Sequence, residues 1–178
     1  MFLLNRVKYV LNYDAMLILY NSIVLPHLTY CCEIWGSTYE SRLKGLFLLQ
    51  KRFMRVVHGV GYRDHTNLLF HKSRALKIDD LVKLNVLTIM YKAFNSSLPE
   101  NLQKLFAKKT YKDNVVTTRQ LNKFKPPACR TTLKSMCISV RGVKLWNTLD
   151  ENLITRSKSL INFKVCIKKL LLEAYLDN

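Results

Sequence analysis

The sequence predicts a mainly α fold: a helical bundle around a long central helix, with a small C-terminal β-hairpin. Three observations lead there. Apolar residues recur at helical spacing along most of the chain. Glycine and proline number only 5 and 4 in 178 residues, too few for a loop-rich β protein. The longest apolar block, residues 14–36, carries one narrow polar stripe, Ser22, Pro26, Thr29 and Glu33, at spacings of four, three and four. A helix wetted along one line has neighbours on most of its surface, so this block is expected at the centre of the bundle. Pro26 lies on the wet line, where its lost N–H and the carbonyl it frees at Ser22 meet water, so a bend is expected rather than a break. Tyr20, Pro26, Trp35 and, near the other end of the chain, Trp146 are the expected structural core residues.

The remaining elements follow in order. Residues 2–11 read as a helix through Leu3, Val7 and Val10, opening without a cap as though inside a larger architecture. Gly36 ends the central helix. A second long helix covers 41–58, with Leu46, Leu49, Phe53 and Val56 as its apolar side and Gly59 and Gly61 as its stop. On it, Lys44, Lys51, Arg55 and His58 fall on one face, with Arg52 beside them. That stripe is either a track for phosphates or a solvated face. A short helix around 68–76 precedes a longer one over 79–95, whose polar stripe is Asn85, Thr88, Lys92 and Asn95. Pro99 suits the first turn of a short helix reaching Phe106.

From 107 to 134 the character changes. This stretch holds Lys108, Lys109, Lys112, Arg119, Lys123, Lys125, Arg130 and Lys134 against one acid, Asp113. Tyr111 and Phe124 interleave with the cations, the composition expected where bases stack and phosphates are neutralised; a basic linker is the plainer alternative. Residues 133–140 alternate, with Met136, Ile138 and Val140 on one side and Ser135, Cys137 and Ser139 on the other, which reads as a half-buried strand pairing with 115–121. Arg141-Gly142 then turns the chain into a short helix on which Trp146 is a packing anchor. The last helix covers 160–176, capped by Ser159. Two domains are expected: a helical one over 1–106, and the basic loop, hairpin and C-terminal helix of 107–178 packed on it.

Lys and Arg total 29 against 12 Asp and Glu, a net charge of +17. A field of that sign attracts polyanions, nucleic acid first and anionic membrane second. The five cysteines are odd in number and form no C-x-x-C pair, and the four histidines are not at zinc-site spacing from them. Reduced thiols, with Cys31 and Cys32 in the core, and no metal are expected. The apolar start is too short for a signal peptide, and residues 14–36 are too interrupted for a membrane span. A soluble nuclear or cytoplasmic protein without membrane contact is expected. No enzyme on its own is expected either. Asp79-Asp80 is the sole Asp-Asp pair, position 77 is Lys where a reverse-transcriptase metal site needs an aromatic, and a helix pattern follows at once. Those aspartates suit a helix N-terminus instead. There is no glycine-rich phosphate loop or G-x-S-x-G, and no cofactor is implied.

Three blocks carry a family likeness: LYNSIVLPHLTYCCEIWG at 19–36, RTTLKSMCISVRGVKLWN at 130–147 and SLINFK at 159–164, with LLQKR at 48–52 adding to it. Together they resemble the C-terminal part of the reverse transcriptase of non-LTR, LINE-type retrotransposons of the jockey and chicken-repeat kind. The resemblance covers nearly the whole chain and implies a thumb and post-thumb region. Its role would be to grip an RNA template or RNA–DNA hybrid beside the polymerase site. The family's aromatic-x-Asp-Asp motif, its upstream Asp and its endonuclease have no counterpart here, which implies a fragment, a degenerate copy or a separate exon. The functional expectation is therefore a nucleic-acid-binding remnant of an RNA-directed DNA polymerase without its catalytic palm. Lys44, Lys51, Arg55, Lys108, Lys112, Arg119, Lys123, Lys125, Arg130 and Lys134 are its contact candidates. The alternative is a helical interaction module that docks on the missing palm or self-associates through an exposed apolar face.

Overall fold

In the computed structural model, which describes residues 6, 9–108 and 123–176, the chain is mainly α-helical. Its segments cluster into two compact units that interleave along the sequence. The first comprises Met1–Cys32, Tyr39–Val82 and Lys168–Asn178, and the second Glu33–Thr38 and Lys83–Ile167. Among the described residues no helix is long and apolar enough to cross a membrane.

The block expected to be one long central helix is a series of short pieces. Helix α1 (Tyr13–Leu19), capped by Asn12, runs into a π-helical turn (Tyr20–Val24) and then α2 (Leu25–Thr29). Pro26 is the cause of the π turn. Its ring crowds the carbonyl four residues back, and the backbone answers by letting the Leu25 N–H reach the Tyr20 carbonyl, five residues away. The helix then stops: Tyr30 is extended and Cys31 takes φ of +48° before α3 (Cys32–Trp35) restarts. Each interruption rotates the following side chains, so the polar stripe counted across them marks no single face. Ile18, Ile23, Tyr30 and Ile34 are exposed, while Met16, Tyr20 and Cys32 are buried. Of the expected core residues, Tyr20 and Trp146 are buried, Trp35 is half-buried and Pro26 is exposed.

Helix α4 (Glu40–His58) ends on Gly59, whose φ of +63° is the left-handed cap that glycine adopts without strain. Its buried side is Leu43, Gln50, Phe53, Met54 and Val57, whereas Leu46 and Leu49, expected to face inward, are exposed. Gln50 explains the rotation. Its Nε2 donates to the Tyr20 hydroxyl and the Leu76 carbonyl, each at 2.8 Å, and its Oε1 accepts the Ile78 N–H at 3.0 Å. A polar side chain is stable in a core only when so satisfied. Helix α5 (Asn67–Lys72) follows.

Helix α6 (Ile78–Phe94) is the most buried element, with Ile78, Val82, Val86, Met90 and Ala93 all fully inaccessible. Its residues through Val82 belong to the first unit and the rest to the second. Asp79 and Asp80 lie in its first turn, as the sequence indicates. Asp80 is buried and accepts the Tyr175 hydroxyl at 2.5 Å, while that hydroxyl accepts the Lys77 N–H at 3.0 Å. Thr88, expected on the polar stripe, is buried and returns its hydroxyl to the Leu84 carbonyl.

The short helix α7 (Glu100–Gln103) is followed, beyond the undescribed residues, by α8 (Thr132–Met136), α9 (Ile138–Asn147), α10 (Glu151–Arg156) and α11 (Leu160–Glu173). The strand expected at 133–140 is thus two helices. Thr131 caps the first by accepting the Lys134 N–H, and extended Cys137 separates them. The two-residue alternation, spread over so short a window, straddles the junction. Burial of Val140, Val143 and Trp146, three residues apart, shows the helical period. The partner strand at 115–121 lies outside the described residues, as does most of the helix expected at 2–11. The only pairing of strand type among the described residues is a lone antiparallel bridge between Lys108 and Phe124.

Gly142 is inside α9 rather than in a turn before it. A Cβ there would stand 2.9 Å from the Met90 sulfur, so glycine permits the close approach of α9 to α6. Trp146 packs against Phe94, Phe124 and Phe163 with ring centroids 5.5, 5.9 and 5.8 Å away, and Tyr91 stacks on Phe163 at 4.5 Å. All five cysteines are free; Cys32 is buried, Cys31 half-buried and the other three exposed.

Two buried phenols make the fold sensitive to alkali. Burial pushes the Tyr20 hydroxyl up, against the smaller opposing effect of the Gln50 hydrogen bond. Burial also raises Tyr175, reinforced by the carboxylate of Asp80. An unfolded tyrosine ionises near pH 10, where these folded ones keep their protons. Above that pH the unfolded chain binds fewer protons, so stability is full below about pH 10 and falls by roughly 1.4 kcal/mol per pH unit for each group. In a spectrophotometric titration of the nine tyrosines, the last phenols should ionise only as helical circular dichroism is lost. Complete ionisation with the helices intact would contradict this.

Candidate nucleic-acid interface

The cations singled out by sequence sit in both units. In the first, α4 presents Lys44, exposed, and Lys51 and Arg55, half-exposed. The Lys51 ammonium lies 4.3 Å from the centre of the Phe47 ring one turn earlier. His58, the fourth member of the stripe, is biased towards its neutral form. Burial and then the nearby Lys72 push its imidazole below the usual histidine value, against a weaker hydrogen bond that it donates to the Leu69 backbone. It packs on Tyr13, with ring centroids 5.1 Å apart, and its Nε2 meets the Ser73 hydroxyl at 2.7 Å.

After α4 the chain doubles back. The Val60 N–H reaches the Arg55 carbonyl, and Gly61 and Asp64 close a turn in which the Gly61 N–H donates to the Asp64 carboxylate at 2.7 Å. This turn returns Tyr62 to the helix it follows. The guanidinium carbons of Arg52 and Arg55 each lie 5.8 Å from the centre of its ring, and Arg52 donates to its hydroxyl at 3.3 Å. Arg55 gives its Nε–H to the neutral Asp64 carbonyl at 3.0 Å. Both guanidiniums are therefore oriented by neutral groups that leave their charge uncompensated by these contacts. Beside them opens a groove of about 720 Å³, lined by Tyr9, Tyr13, Arg52, Arg55 and Tyr62 over an apolar floor that includes Met16 and Val57. Sequence reasoning placed Arg52 beside the stripe but missed all three tyrosines. Gly59 and Gly61 signal a break after α4, but not that the turn closed by Asp64 brings Tyr62 back to Arg55.

In the second unit, Lys125 N–H donates to the Ala107 carbonyl at 2.8 Å, and Asn147 of α9 clamps Phe124 by accepting its N–H and donating to its carbonyl. With the Lys108–Phe124 bridge, these contacts hold Lys108, Lys123 and Lys125 in one neighbourhood. Lys108 also supports the fold directly. Its ammonium caps α6 at the Phe94 carbonyl, 2.6 Å away, and lies 5.3 Å from the centre of the Phe94 ring. Lys125, Arg130 and Lys134 are exposed, and Lys123 is half-exposed. Lys112 and Arg119 lie outside the described residues.

Several acids have structural partners, Asp64 within the turn beside Arg55 itself. Asp80 takes the Tyr175 hydroxyl, Asp64 its own turn, and Asp150 caps α10, while Glu100 pairs with Lys104 at 2.8 Å on the surface. Among the described residues no three His, Cys, Asp or Glu side chains gather where a metal ion could be held. Comparison with protein-family models, with curated proteins and with solved structures finds no match to this chain.

Proposed function

We propose that this chain binds nucleic acid without regard to sequence, gripping an RNA template or RNA–DNA hybrid through its surface cations, with no catalytic step of its own. The resemblance of residues 19–36, 130–147 and 159–164 to the thumb and post-thumb region of LINE-type reverse transcriptases supplies the polymer class. The observation that carries the reading is the charge balance, 29 Lys and Arg against 12 Asp and Glu for a net +17, with Lys44, Lys125, Arg130 and Lys134 on the surface. That arrangement leaves the outward field positive, the condition for exchanging condensed counterions for protein cations.

The reading predicts affinity that collapses with salt. If about five to eight phosphates are engaged, log affinity should fall against log salt with a slope of roughly −4 to −7. Anisotropy titrations of labelled RNA and RNA–DNA hybrid across a salt series measure it, and a flat response would remove the reading.

A second reading rests on the second unit. There Ile34, Leu102, Leu105 and Leu133, exposed by 73, 47, 49 and 70%, border an apolar groove of about 410 Å³ that also touches Cys137. Apolar surface gathered in one place favours association between copies or with another helix. Light scattering alongside the titrations separates the two: a concentration-dependent mass with no salt-sensitive binding favours the interaction module.

A further inference from the structure

We propose that the groove beside Tyr62 in the first unit seats one unpaired base of a nucleic-acid strand, with Arg52 and Arg55 holding the adjoining phosphate. The inference rests on the nucleic-acid reading above and assigns it a place and a strand type.

Four features of the groove point to this ligand. Its volume of about 720 Å³ lies within the roughly 300–1,000 Å³ of pockets that enclose small organic ligands. Its sides are aromatic: Tyr62 and Tyr9 are 70 and 83% exposed, unusual for rings that a packed core would cover. Its floor is apolar, and its rim carries two guanidiniums 5.8 Å from the Tyr62 ring centre, already oriented by a hydroxyl and a backbone carbonyl. A planar heterocycle bearing a negative charge at one end matches all four. The base face meets tyrosine rings, its edges leave water, and the phosphate accepts the forked N–H donors of arginine.

The same features select an unpaired base. In a duplex both faces of every base are covered by stacked neighbours, and only edges and phosphates are offered to a protein. A site that presents ring faces gains from a base only when one face is free. The exposed lysines of the second unit suit backbone contacts to either form.

The decisive experiment compares one labelled oligonucleotide as a single strand and as a duplex, at fixed salt, with the whole chain and with Tyr62→Ala. Loss of a stacking platform should weaken single-strand binding roughly ten-fold or more, leave duplex binding within two-fold, and leave the salt slope unchanged because no charge is removed. Tyr62→Trp should restore single-strand affinity, which a folding defect would not allow. Equal weakening of both forms, or no weakening of either, overturns the base pocket while leaving salt-dependent binding intact. Absence of binding by the unaltered chain in either form would instead overturn the underlying reading. A mononucleotide 5′-phosphate that competes as well as an unlabelled oligonucleotide would overturn the assignment to a strand.

Discussion

Replacing Trp146 with alanine should cost about 3–5 kcal/mol, one of the two largest single effects expected in this protein. The indole is 1% exposed and touches three other rings, from α6, α11 and the segment around Phe124. Truncation removes the transfer free energy of the ring and leaves a hole that stiff aromatic neighbours cannot fill by small movements. Natural domains have only about 5–15 kcal/mol in total, so the variant would be marginal at body temperature. With a urea dependence of about 1–3 kcal/mol/M, the unfolding midpoint followed by far-ultraviolet circular dichroism should fall by more than about 1 M. Trp146→Phe, which keeps a ring against Phe163, should recover a good part of the loss. A midpoint unchanged in the alanine variant would mean that this cluster does not hold the second unit together.

Gln50→Leu is the second large effect, expected at roughly 3–5 kcal/mol from three orphaned groups at about 1–3 kcal/mol each, partly offset by added apolar burial. The substitution suits the helix and the apolar surroundings, so a pattern-based argument would favour it. It nonetheless strands the Ile78 N–H, the Leu76 carbonyl and the Tyr20 hydroxyl in a site where water does not reach. Gln50→Glu gives a sharper test. A glutamate there can accept the Ile78 N–H, yet when ionised it has no proton for the Leu76 carbonyl. Its folded pKa would be raised by burial above the unfolded value near 4.3. Stability would then be retained at acid pH and lost as pH rises towards neutrality. Chemical unfolding at about pH 5 and about pH 7, both above the unfolded pKa where the loss begins, should show the variant weaker at the higher pH relative to the unaltered chain. The opposite trend would mean that the three contacts to Gln50 do not form.

Helix positions in this chain are legible where composition acts locally. The ends of α4 and α6 fall within a residue or two of the sequence reading, because Gly59 and the Asn95-Ser96-Ser97 run stop helices through their own backbone preferences. Ser159 caps α11 as its hydroxyl chemistry requires. The block at 14–36 misleads for a physical reason. Periodicity assumes unbroken phase, and the π turn before Pro26 and the left-handed Cys31 each reset it. The buried side of α4 is displaced from the expected one because Gln50 counts as polar in any sequence pattern and becomes a core residue only when three partners from distant segments surround it. The candidate site divides the same way. Its cations are visible in the chain, whereas Tyr9, Tyr13 and Tyr62 become a groove only after the turn at Gly61 and Asp64 brings the last of them back.

By itself, then, the sequence determined the helical class, the cationic surplus, the helix stops and the scarcity of acids, since each depends on residue type or on neighbours within a few positions. Tertiary structure alone decided which side of each helix is buried, that residues 133–140 form parts of two helices rather than a strand, which histidine is packed against a tyrosine and where rings and guanidiniums meet. Those outcomes depend on contacts between residues far apart in the chain, as with Gln50 and Ile78 or Asp80 and Tyr175, and such contacts leave no periodic trace in the order of amino acids.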